Sequence, residues 1–400
     1  MCVFVLIFCT NMIRDPETLQ LLLDSVRRFV REVLIPHEDI VADSDAIPDS
    51  VVAQMRELGL FGLAIPEAHG GLALTMEEEV LVAIELAHAS PAFRSLVGTN
   101  NGIGAQGIII DGTPAQKSAW LPRLASGEII ASFALTEPDS GSDAASLRTT
   151  AVRDGEHYIL NGTKRYITNA PEAGLFTVMA RTESRDSKSA RKDAGAISAI
   201  LVERGTPGLS LGKIDKKMGQ RGAHTCDVIF DDCRVPATNL IGGVEGVGFK
   251  TAMKVLDKGR LHIAAVCVGA AERMLDDALA YAMQRRQFGE PIAHFQLVQA
   301  MLADSRAELY AARSMVLDCA RKRDAGEDVT LEASCSKLFA SEMCGRVADR
   351  SVQIHGGAGY VSDYAAERFY RDVRLFRIYE GTSQIQQLVI ARNMIKRAGA

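Results

Sequence analysis

The chain has 400 residues, of which 47% are hydrophobic, 6% aromatic and 24% charged, and its formal net charge is −5 at pH 7. This composition is typical of a globular enzyme and excludes a disordered or fibrous protein. It also argues against a nucleic-acid-binding protein, because basic residues do not dominate the chain. At about 100–200 residues per domain, the length predicts two or three domains.

The cysteines and the N-terminal residues indicate where the protein acts. The eight cysteines contain no CxxC pair and no Cys/His ligand cluster, which predicts reduced thiols, no metal site and a cytoplasmic location. The apolar run at residues 1–9 is far shorter than the ~20 residues of a membrane-spanning helix, so we expect no membrane span.

Helical periodicity dominates the first third of the chain. From about residue 15 to residue 128, apolar residues recur at steps of three and four, as in Leu19, Leu22, Leu23, Val26 and Phe29. Residues 50–58 and 76–89 continue the pattern. We therefore predict an all-helical N-terminal domain over residues 12–128.

The pattern changes at residue 129 to short runs rich in β-branched and aromatic residues. Close spacing of such runs is typical of strands joined by tight turns. Asp154-Gly155 and Asn161-Gly162 are turn sequences of the hairpin type. The predicted strands cover residues 129–135, 147–153, 157–161, 176–180, 196–202, 209–214 and 225–230. Together they predict a central antiparallel β domain over residues 129–243.

The helical period returns near residue 246 and continues to the end. It predicts long helices from residue 249 toward 285, over 295–322 and over 331–354, and a last helix that begins at Thr382. These form a C-terminal all-α domain, similar to a four-helix bundle, over residues 244–400. Because the strands are clustered rather than alternating with helices, the fold class is α+β with three domains, not a doubly wound sheet.

Glu380 is the most distinctive carboxylate of the C-terminal domain. It follows an apolar stretch that ends in Ile378 and Tyr379, and burial there would raise the pKa of its carboxyl group. Thr382 or Ser383 is typical of the N-cap of the last helix. On local chemistry alone, an ordinary glutamate placed favourably near a helix N-terminus is the better interpretation.

A second motif opens the β domain. Residues 133–143 read FALTEPDSGSD, in which small hydroxyl residues surround Gly141 at the end of a predicted strand. Such a segment lets backbone N–H groups and hydroxyls approach a flat or anionic ligand. A tight turn capped by Asp and Ser side chains is the alternative, and composition alone favours the turn.

Four motifs in order resemble the acyl-CoA dehydrogenase flavoprotein family. Residues 133–143 resemble its first signature, and QIHGGAGY at 353–360, followed by Asp363, Arg368 and Asp372, resembles its second. KRYITN at 164–169 is similar to the flavin-stacking strand, and RRQFG at 285–289 to the helix end that meets the flavin phosphates. The resemblance extends from about residue 15 to residue 395. It implies an FAD enzyme that forms a homotetramer, a dimer of dimers.

The resemblance assigns one group of flavin contacts to the β domain. Leu135 and Thr136 would meet the pyrimidine edge, Tyr166 would stack on the isoalloxazine and Thr168 would lie near its reactive edge. A rigid aromatic platform suits a planar ring. The resemblance also assigns cofactor contacts to Phe133, Ser142, Thr382 and Gln384. Taken on its own, Tyr166 could equally be an ordinary strand aromatic.

A second group of flavin contacts is implied for a neighbouring subunit. Arg285, Phe295 and Gln296, with Phe288 beside them, would hold the pyrophosphate and adenine. The loop that contains Gln353, Gly356 and Gly357 would present backbone amides to the same dinucleotide. The structural alternatives are a helix C-terminal cation for Arg285 and a plain turn for the glycines.

The implied reaction is α,β-dehydrogenation of an acyl-CoA thioester, with electrons passed to an electron-transfer flavoprotein. Glu380 would be the base that removes the Cα proton, and its N–H would help to stabilise the enolate oxygen. Gly381 and Ser142 would border the thioester. The family's rival base position is occupied here by Gly259, which favours Glu380. Two related possibilities are an acyl-CoA oxidase, which we expect to need a further C-terminal domain, and a flavoprotein scaffold without activity, which the intact Glu380 disfavours.

Three further residues bear on the substrate. Asp257 and Arg260 would line the thioester and pantetheine channel, although Arg260 could equally be an internal salt-bridge partner. SPAFRS at residues 90–95 resembles the segment of glutaryl-CoA dehydrogenase in which an arginine meets the distal carboxylate of the substrate. Arg94 would then select dicarboxylyl-CoA thioesters, with or without decarboxylation. The alternative is a surface arginine on a helix.

Overall fold

The computed structural model describes residues 13–182 and 194–399. The apolar run at residues 1–9 lies outside these ranges. None of the described helices combines the length and the apolar character that a membrane crossing needs. Within the same residues, no three His, Cys, Asp or Glu side chains are grouped so that they could hold a metal ion.

The N-terminal part is helical, as predicted. Its helices are α1 (Pro16–Phe29), α2 (Glu38–Ser44), α3 (Asp49–Glu57), α4 (Met76–Leu86), α5 (Pro91–Thr99), α6 (Gln106–Asp111) and α7 (Pro114–Ala125). Side chains satisfy the free N–H groups at several helix starts. Asp15 caps α1, and reciprocal capping boxes join Thr75 to Glu78 and Thr113 to Gln116. These caps explain why the helices begin where they do.

The central part forms one sheet. Its strands are β1 (Ala131–Ala134), β2 (Thr150–Asp154), β3 (His157–Thr168), β4 (Leu175–Arg181), β5 (Ile197–Glu203), β6 (Leu209–Leu211) and β7 (Thr225–Pro236). The strand order is β1-β4-β2-β3-β7-β6, and β5 also pairs with β4. Most pairs are antiparallel, as predicted, but β4 pairs in parallel with β1 and with β2. The sheet is therefore mainly, not entirely, antiparallel.

One predicted turn is a hairpin and the other is not. Asp154-Gly155 joins β2 to β3, whose register places Asp154 opposite His157. Asn161-Gly162 does not reverse the chain, because β3 continues through it and pairs with β7 on both sides. The ladder shifts register there, and Gly162 adopts φ +149° with Thr149 Oγ1 only 2.5 Å from the site of a Cβ. The prediction of a turn was wrong because pairing with β7 outweighs the local turn preference.

The C-terminal part is a bundle of long helices. They are α8 (Gly248–Gln284), α9 (Gln296–Asp324), α10 (Thr330–His355), α11 (Ala365–Val373) and α12 (Ser383–Arg397). A short hairpin of β8 (Arg286–Gln287) and β9 (Glu290–Pro291) joins α8 to α9. Apolar residues of α8, α9 and α10 form one core with residues of α4. The α+β architecture with helical first and last parts is confirmed.

Buried ion pairs and a hydrogen bond connect the three parts. Glu79 on α4 accepts hydrogen bonds from Lys258 Nζ at 2.6 Å and His262 Nε2 at 2.8 Å, both on α8. Arg368 on α11 bonds Glu38 on α2 at 2.6 Å. Asp372, also on α11, accepts from the backbone N–H of Gln220 in the β part. Two residues of the second predicted signature, Arg368 and Asp372, therefore join domains.

Candidate active site

A cavity of about 710 Å³ lies where the helical N-terminal part, the sheet and the C-terminal bundle meet. Its walls come from α5, the segment after β1, the end of β3, α8, the turn before α12 and α12 itself. Ten residues predicted from the sequence line it: Arg94, Phe133, Leu135, Thr136, Ser142, Tyr166, Thr168, Arg260, Glu380 and Gly381. Residues from three distant parts of the chain thus meet at one site.

Glu380 lies in a strained turn at the entrance to α12. Glu380 has φ +51° and Gly381 φ +91°, so two successive residues are left-handed, a conformation that non-glycine residues rarely adopt. Gln386 Nε2 donates to the carbonyls of Glu380 at 3.3 Å and Gly381 at 3.1 Å. Thr382 accepts from the N–H of Ile385 at 3.2 Å, which confirms the predicted N-cap. The turn is therefore held by specific donors.

Glu380 is half-buried as a residue, and the carboxylate oxygen Oε2 is fully buried. No hydrogen-bond partner for its Oε2 is found in the described part of the chain. A Cβ at position 259 would lie 2.1 Å from this oxygen, so Gly259 provides the space that the carboxylate occupies. Burial raises the pKa of Glu380, while the charges of Arg94, Lys337 and Arg260 oppose this rise. A partly desolvated carboxylate of this kind suits proton transfer.

Tyr166 also lines the cavity. It lies at φ +59°, where the pairing of β3 with β7 shifts register between Lys164 and Ile167. Its side chain is 62% exposed although it belongs to a strand, and the Arg165 guanidinium lies 4.4 Å from the ring centroid. The bulge thus turns an aromatic face toward the cavity.

Two neighbours of Tyr166 fix the segment after β1. The buried Lys164 Nζ bonds Glu137 Oε1 at 2.8 Å and the Leu135 carbonyl at 3.2 Å. The Arg165 N–H donates to the Thr136 carbonyl at 2.8 Å. Leu135 and Thr136, which the sequence assigns to the flavin, are therefore held directly by the strand that carries Tyr166.

The two predicted substrate cations occupy different environments. Arg94 is 7% exposed, and no ion pair or hydrogen bond of its guanidinium is found among the described residues. Gly98 makes room for it, since a Cβ there would lie 2.5 Å from the guanidinium carbon. Arg260 instead bonds Asp257 Oδ1 at 2.5 Å. Arg260 is thus both a salt-bridge partner and a cavity residue, whereas Asp257 does not line the cavity.

The remaining predicted flavin contacts lie elsewhere. Arg285, Phe288, Phe295 and Gln296 are at the junction of α8 and α9, and Gln353, Gly356 and Gly357 are at the end of α10. The two helix ends meet, since the rings of Tyr281 and His355 stack at 4.4 Å. Phe288 is 94% exposed. None of these seven residues lines the cavity, and Thr382 and Gln384 do not line it either.

Several site residues were not identified from the sequence. Lys337 Nζ donates to the Gly381 carbonyl at 2.7 Å from α10, and Gln386 donates to the same turn from α12. Gly98 and Lys164 support Arg94 and the segment after β1. Gln386 follows Glu380 in the first turn of the predicted last helix, and Gly98 lies one helical turn after Arg94 on α5, so both are close in sequence to a predicted residue. Lys337 and Lys164 act through contacts between distant segments.

Three consecutive parts of the chain match known domain families. Profiles described as the N-terminal, middle and C-terminal domains of acyl-CoA dehydrogenase match residues 16–128, 132–233 and 246–395. The chain belongs to the acyl-CoA dehydrogenase family. Acyl-CoA dehydrogenases are FAD-containing oxidoreductases that act on the CH–CH bond of acyl-CoA thioesters.

Similar acyl-CoA dehydrogenase family members include reductases. Acryloyl-CoA reductase (NADH) of Anaerotignum propionicum is 41% identical, over 97% of this chain and 96% of its own length. The CarC subunit of the caffeyl-CoA reductase-Etf complex of Acetobacterium woodii is 40% identical, over 90% and 93%. The structure of butyryl-CoA dehydrogenase from Megasphaera elsdenii aligns with a TM-score of 0.89 at 34% identity, over 94% of this chain and 98% of that chain.

The cavity of this acyl-CoA dehydrogenase fits the flavin of FAD. The exposed ring of Tyr166 provides an apolar platform, and Leu135, Thr136 and Thr168 line the same space. A Cβ added at Gly141 would have no neighbour within 4 Å, so a ligand can approach the backbone there. Glu380 lines the same cavity. A planar cofactor and an acidic group can therefore share one enclosed space.

Proposed function

We propose that this protein catalyses α,β-dehydrogenation of an acyl-CoA thioester to the trans-2-enoyl-CoA, with Glu380 as the base that removes the Cα proton. The observation that carries the proposal is the Oε2 of Glu380, which has no hydrogen-bond partner among the described residues and lies in a cavity that six of the predicted flavin contacts also line. A buried carboxylate without a partner is destabilised in its charged form. Accepting a proton from a substrate relieves that cost.

The turn around Glu380 supports this assignment. Burial brings the pKa of the carboxyl group upward, closer to the pH at which a general base works best. The three surrounding cations, Arg94, Lys337 and Arg260, act in the opposite direction and favour the ionised carboxylate. No acceptor for the Glu380 N–H is found among the described residues. This N–H is therefore available to the carbonyl oxygen of a thioester, where charge develops as the Cα proton leaves.

FAD, when bound, supplies the acceptor for the hydride that leaves Cβ and passes the electrons to an electron-transfer flavoprotein. On the protein side, Tyr166, Leu135, Thr136, Thr168 and Ser142 would hold the ring system. The apolar cavity residues exclude water from the base and the thioester.

We infer that a second subunit completes the cofactor site. The contacts assigned to Arg285, Phe288, Phe295 and Gln296, and to the loop at the end of α10, do not line the cavity of their own chain. These segments are mostly exposed, and they meet where the end of α8 contacts the end of α10. A homotetramer built as a dimer of dimers would bring them to the FAD of a neighbouring subunit.

A second candidate substrate class follows from Arg94. A guanidinium that is 7% exposed and forms no hydrogen bond or ion pair with the described residues is unusual, because buried charges are normally paired. In the cavity it would pair with a distal carboxylate of a dicarboxylyl-CoA thioester such as glutaryl-CoA. Arg94 also lowers the pKa of Glu380, so it could serve the base in an enzyme for monocarboxylic substrates.

The proposed function is tested with the purified, FAD-containing protein under anaerobic conditions. Acyl-CoA thioesters of increasing length, with glutaryl-CoA and adipyl-CoA among them, should bleach the flavin absorbance, and an electron-transfer flavoprotein should restore it faster than oxygen does. Glu380→Gln should keep the yellow colour and lose the bleaching. If no thioester bleaches the wild-type flavin but NADH and an enoyl-CoA react, the protein works as a reductase and the proposed direction is wrong.

A further inference from the structure

Lys337 is a buried lysine that contacts the turn carrying Glu380. It lies on α10 with no measurable exposure, and its Nζ donates a 2.7 Å hydrogen bond to the Gly381 carbonyl. Two other lysines in the described ranges are buried, and both pair with a carboxylate: Lys164 with Glu137 and Lys258 with Glu79. Lys337 has no such ion pair among the described residues. A methionine would fill this space without the cost of burying a charge.

The hydrogen bond of Lys337 acts on the strained part of the turn. Glu380 and Gly381 are both left-handed, and such a conformation persists only when surrounding groups hold it. Gln386 holds the turn from α12, and Lys337 holds it from α10. Without Lys337, the Gly381 carbonyl keeps only the weaker contact with Gln386. One hydrogen bond instead of two then holds the turn that points the Glu380 carboxylate toward Gly259.

The charge of Lys337 acts on the same carboxylate. The groups around Glu380 are Arg94 on α5, Arg260 on α8, Lys337 on α10 and the neighbouring Tyr379. Arg94, Lys337 and Arg260 each favour the ionised carboxylate, and burial opposes them.

Lys337 itself is partly desolvated. Burial lowers its pKa to about 8 and Arg260 lowers it further, while the nearby carboxylates of Glu380 and Glu342 act in the opposite direction. Lys337 is therefore charged at neutral pH and becomes neutral in mildly alkaline solution.

We propose that Lys337 is a positioning residue for the reaction: its ammonium group fixes the Glu380–Gly381 turn, and its charge keeps the Glu380 carboxylate ready to accept a proton. This inference rests on the proposed role of Glu380 as the base. It assigns two separable effects to one side chain, a hydrogen bond and a charge. Two substitutions separate them, because Lys337→Gln can still donate to the carbonyl whereas Lys337→Met can do neither.

The experiment measures proton removal without hydride transfer. A thioester with sulfur in place of Cβ, 3-thiabutyryl-CoA, cannot lose a Cβ hydride, but its Cα proton can exchange with solvent deuterium. The exchange rate is followed by NMR between pH 5 and 9 for FAD-loaded wild type, Lys337→Met, Lys337→Gln and Glu380→Gln. Lys322→Met is the matched control, since Lys322 lies at the surface of α9 and its ion pair among the described residues is with the exposed Asp318. Flavin content and circular dichroism establish that each variant is folded and loaded.

The proposal predicts two changes. In both Lys337 variants the acid limb of the exchange profile should move to higher pH by about one unit, because a nearby positive charge is lost. At high pH, where Glu380 is ionised and the exchange rate no longer changes with pH, Lys337→Met should exchange the proton roughly 10-fold or more slowly than Lys337→Gln. Only the methionine variant removes the hydrogen bond to the Gly381 carbonyl. Lys322→Met should follow the wild-type profile. If Lys337→Met does not hold FAD, the shift of the acid limb in the exchange profile of Lys337→Gln still tests the charge effect.

Two results would contradict the two effects assigned to Lys337, and the Glu380→Gln variant shows whether the proposed base is also wrong. An acid limb that stays in place in both Lys337 variants removes the charge effect, and equal plateaus for methionine, glutamine and wild type remove the positioning effect. If Glu380→Gln loses exchange while the Lys337 variants behave as wild type, only the inference about Lys337 fails. If Glu380→Gln still exchanges the proton, the proposed base is wrong.

Discussion

Substituting Gly259 with alanine should damage the chemistry of this protein without damaging its fold. The added Cβ would lie 2.1 Å from Glu380 Oε2 and 3.1 Å from its carboxyl carbon. Contacts of a Cβ below 3.0 Å essentially never occur. The carboxylate must therefore retreat by roughly 1 Å, a displacement that can lower a catalytic rate about 100-fold. The movement itself is inexpensive, because the obstructing atoms end a flexible side chain that borders a cavity.

The effect on stability should have the opposite sign. Gly259 lies inside α8, where glycine is about 0.5–1 kcal/mol less favourable than alanine because of its backbone entropy. The melting temperature of Gly259→Ala should thus stay level or rise slightly. Gly269 in the same helix is the matched control, since its Cβ would also lie 2.1 Å from an oxygen, but that oxygen is the Ile84 backbone carbonyl. Backbone cannot retreat cheaply, so Gly269→Ala should lower the melting temperature.

The assay pairs thermal unfolding with the rate of anaerobic flavin bleaching at saturating acyl-CoA. Gly259→Ala should combine a normal melting temperature with bleaching about 100-fold slower than wild type. Gly269→Ala, at a temperature where it is folded and loaded with FAD, should bleach at close to the wild-type rate. The reasoning is refuted if Gly259→Ala bleaches normally, or if it loses as much stability as Gly269→Ala.

Two further predictions concern buried charges. Arg94→Leu should lower turnover of glutaryl-CoA or adipyl-CoA at least 10-fold more than turnover of butyryl-CoA if the guanidinium meets a distal carboxylate; an unchanged preference for monocarboxylates in both proteins contradicts that role. Burial would raise the pKa of Glu79, but Lys258 and His262 outweigh it and lower the pKa from 4.5 to about 2. The stability that this lowered pKa contributes is present above pH 4.5 and is lost as the pH falls toward 2. The free energy of unfolding, measured by denaturant titration, should therefore fall less steeply across this window in Glu79→Gln than in wild type.

The long helices of the C-terminal part could be predicted from the sequence almost residue by residue. The apolar period predicted a helix over residues 331–354, and α10 covers Thr330–His355. A long amphipathic pattern is hard to reconcile with any other local structure. The strands were less well defined, because short runs leave the partner and its direction open. Neither the parallel pairing of β1 with β4 nor the continuation of β3 through Gly162 has a local signal.

The same distinction applies to the site. Glu380, Tyr166 and Arg94 could be named because each stands in a recognisable motif, and the structure brings all three to one cavity. Lys337 could not be named, because its contact is with a carbonyl 44 residues further along the chain and depends on how α10 packs. Gly259 was recognised only as the place where a rival base is missing. The structure adds that this glycine makes room for the carboxylate.

The most direct test of the central claim is exchange of the Cα proton in Glu380→Gln. The variant should bind FAD and acyl-CoA as the wild type does, since the amide keeps the size of the side chain. With 3-thiabutyryl-CoA in deuterium oxide, wild type should exchange the Cα proton rapidly and Glu380→Gln should exchange it no faster than the free thioester. Exchange by Glu380→Gln at the wild-type rate would show that another group is the base and would contradict the account.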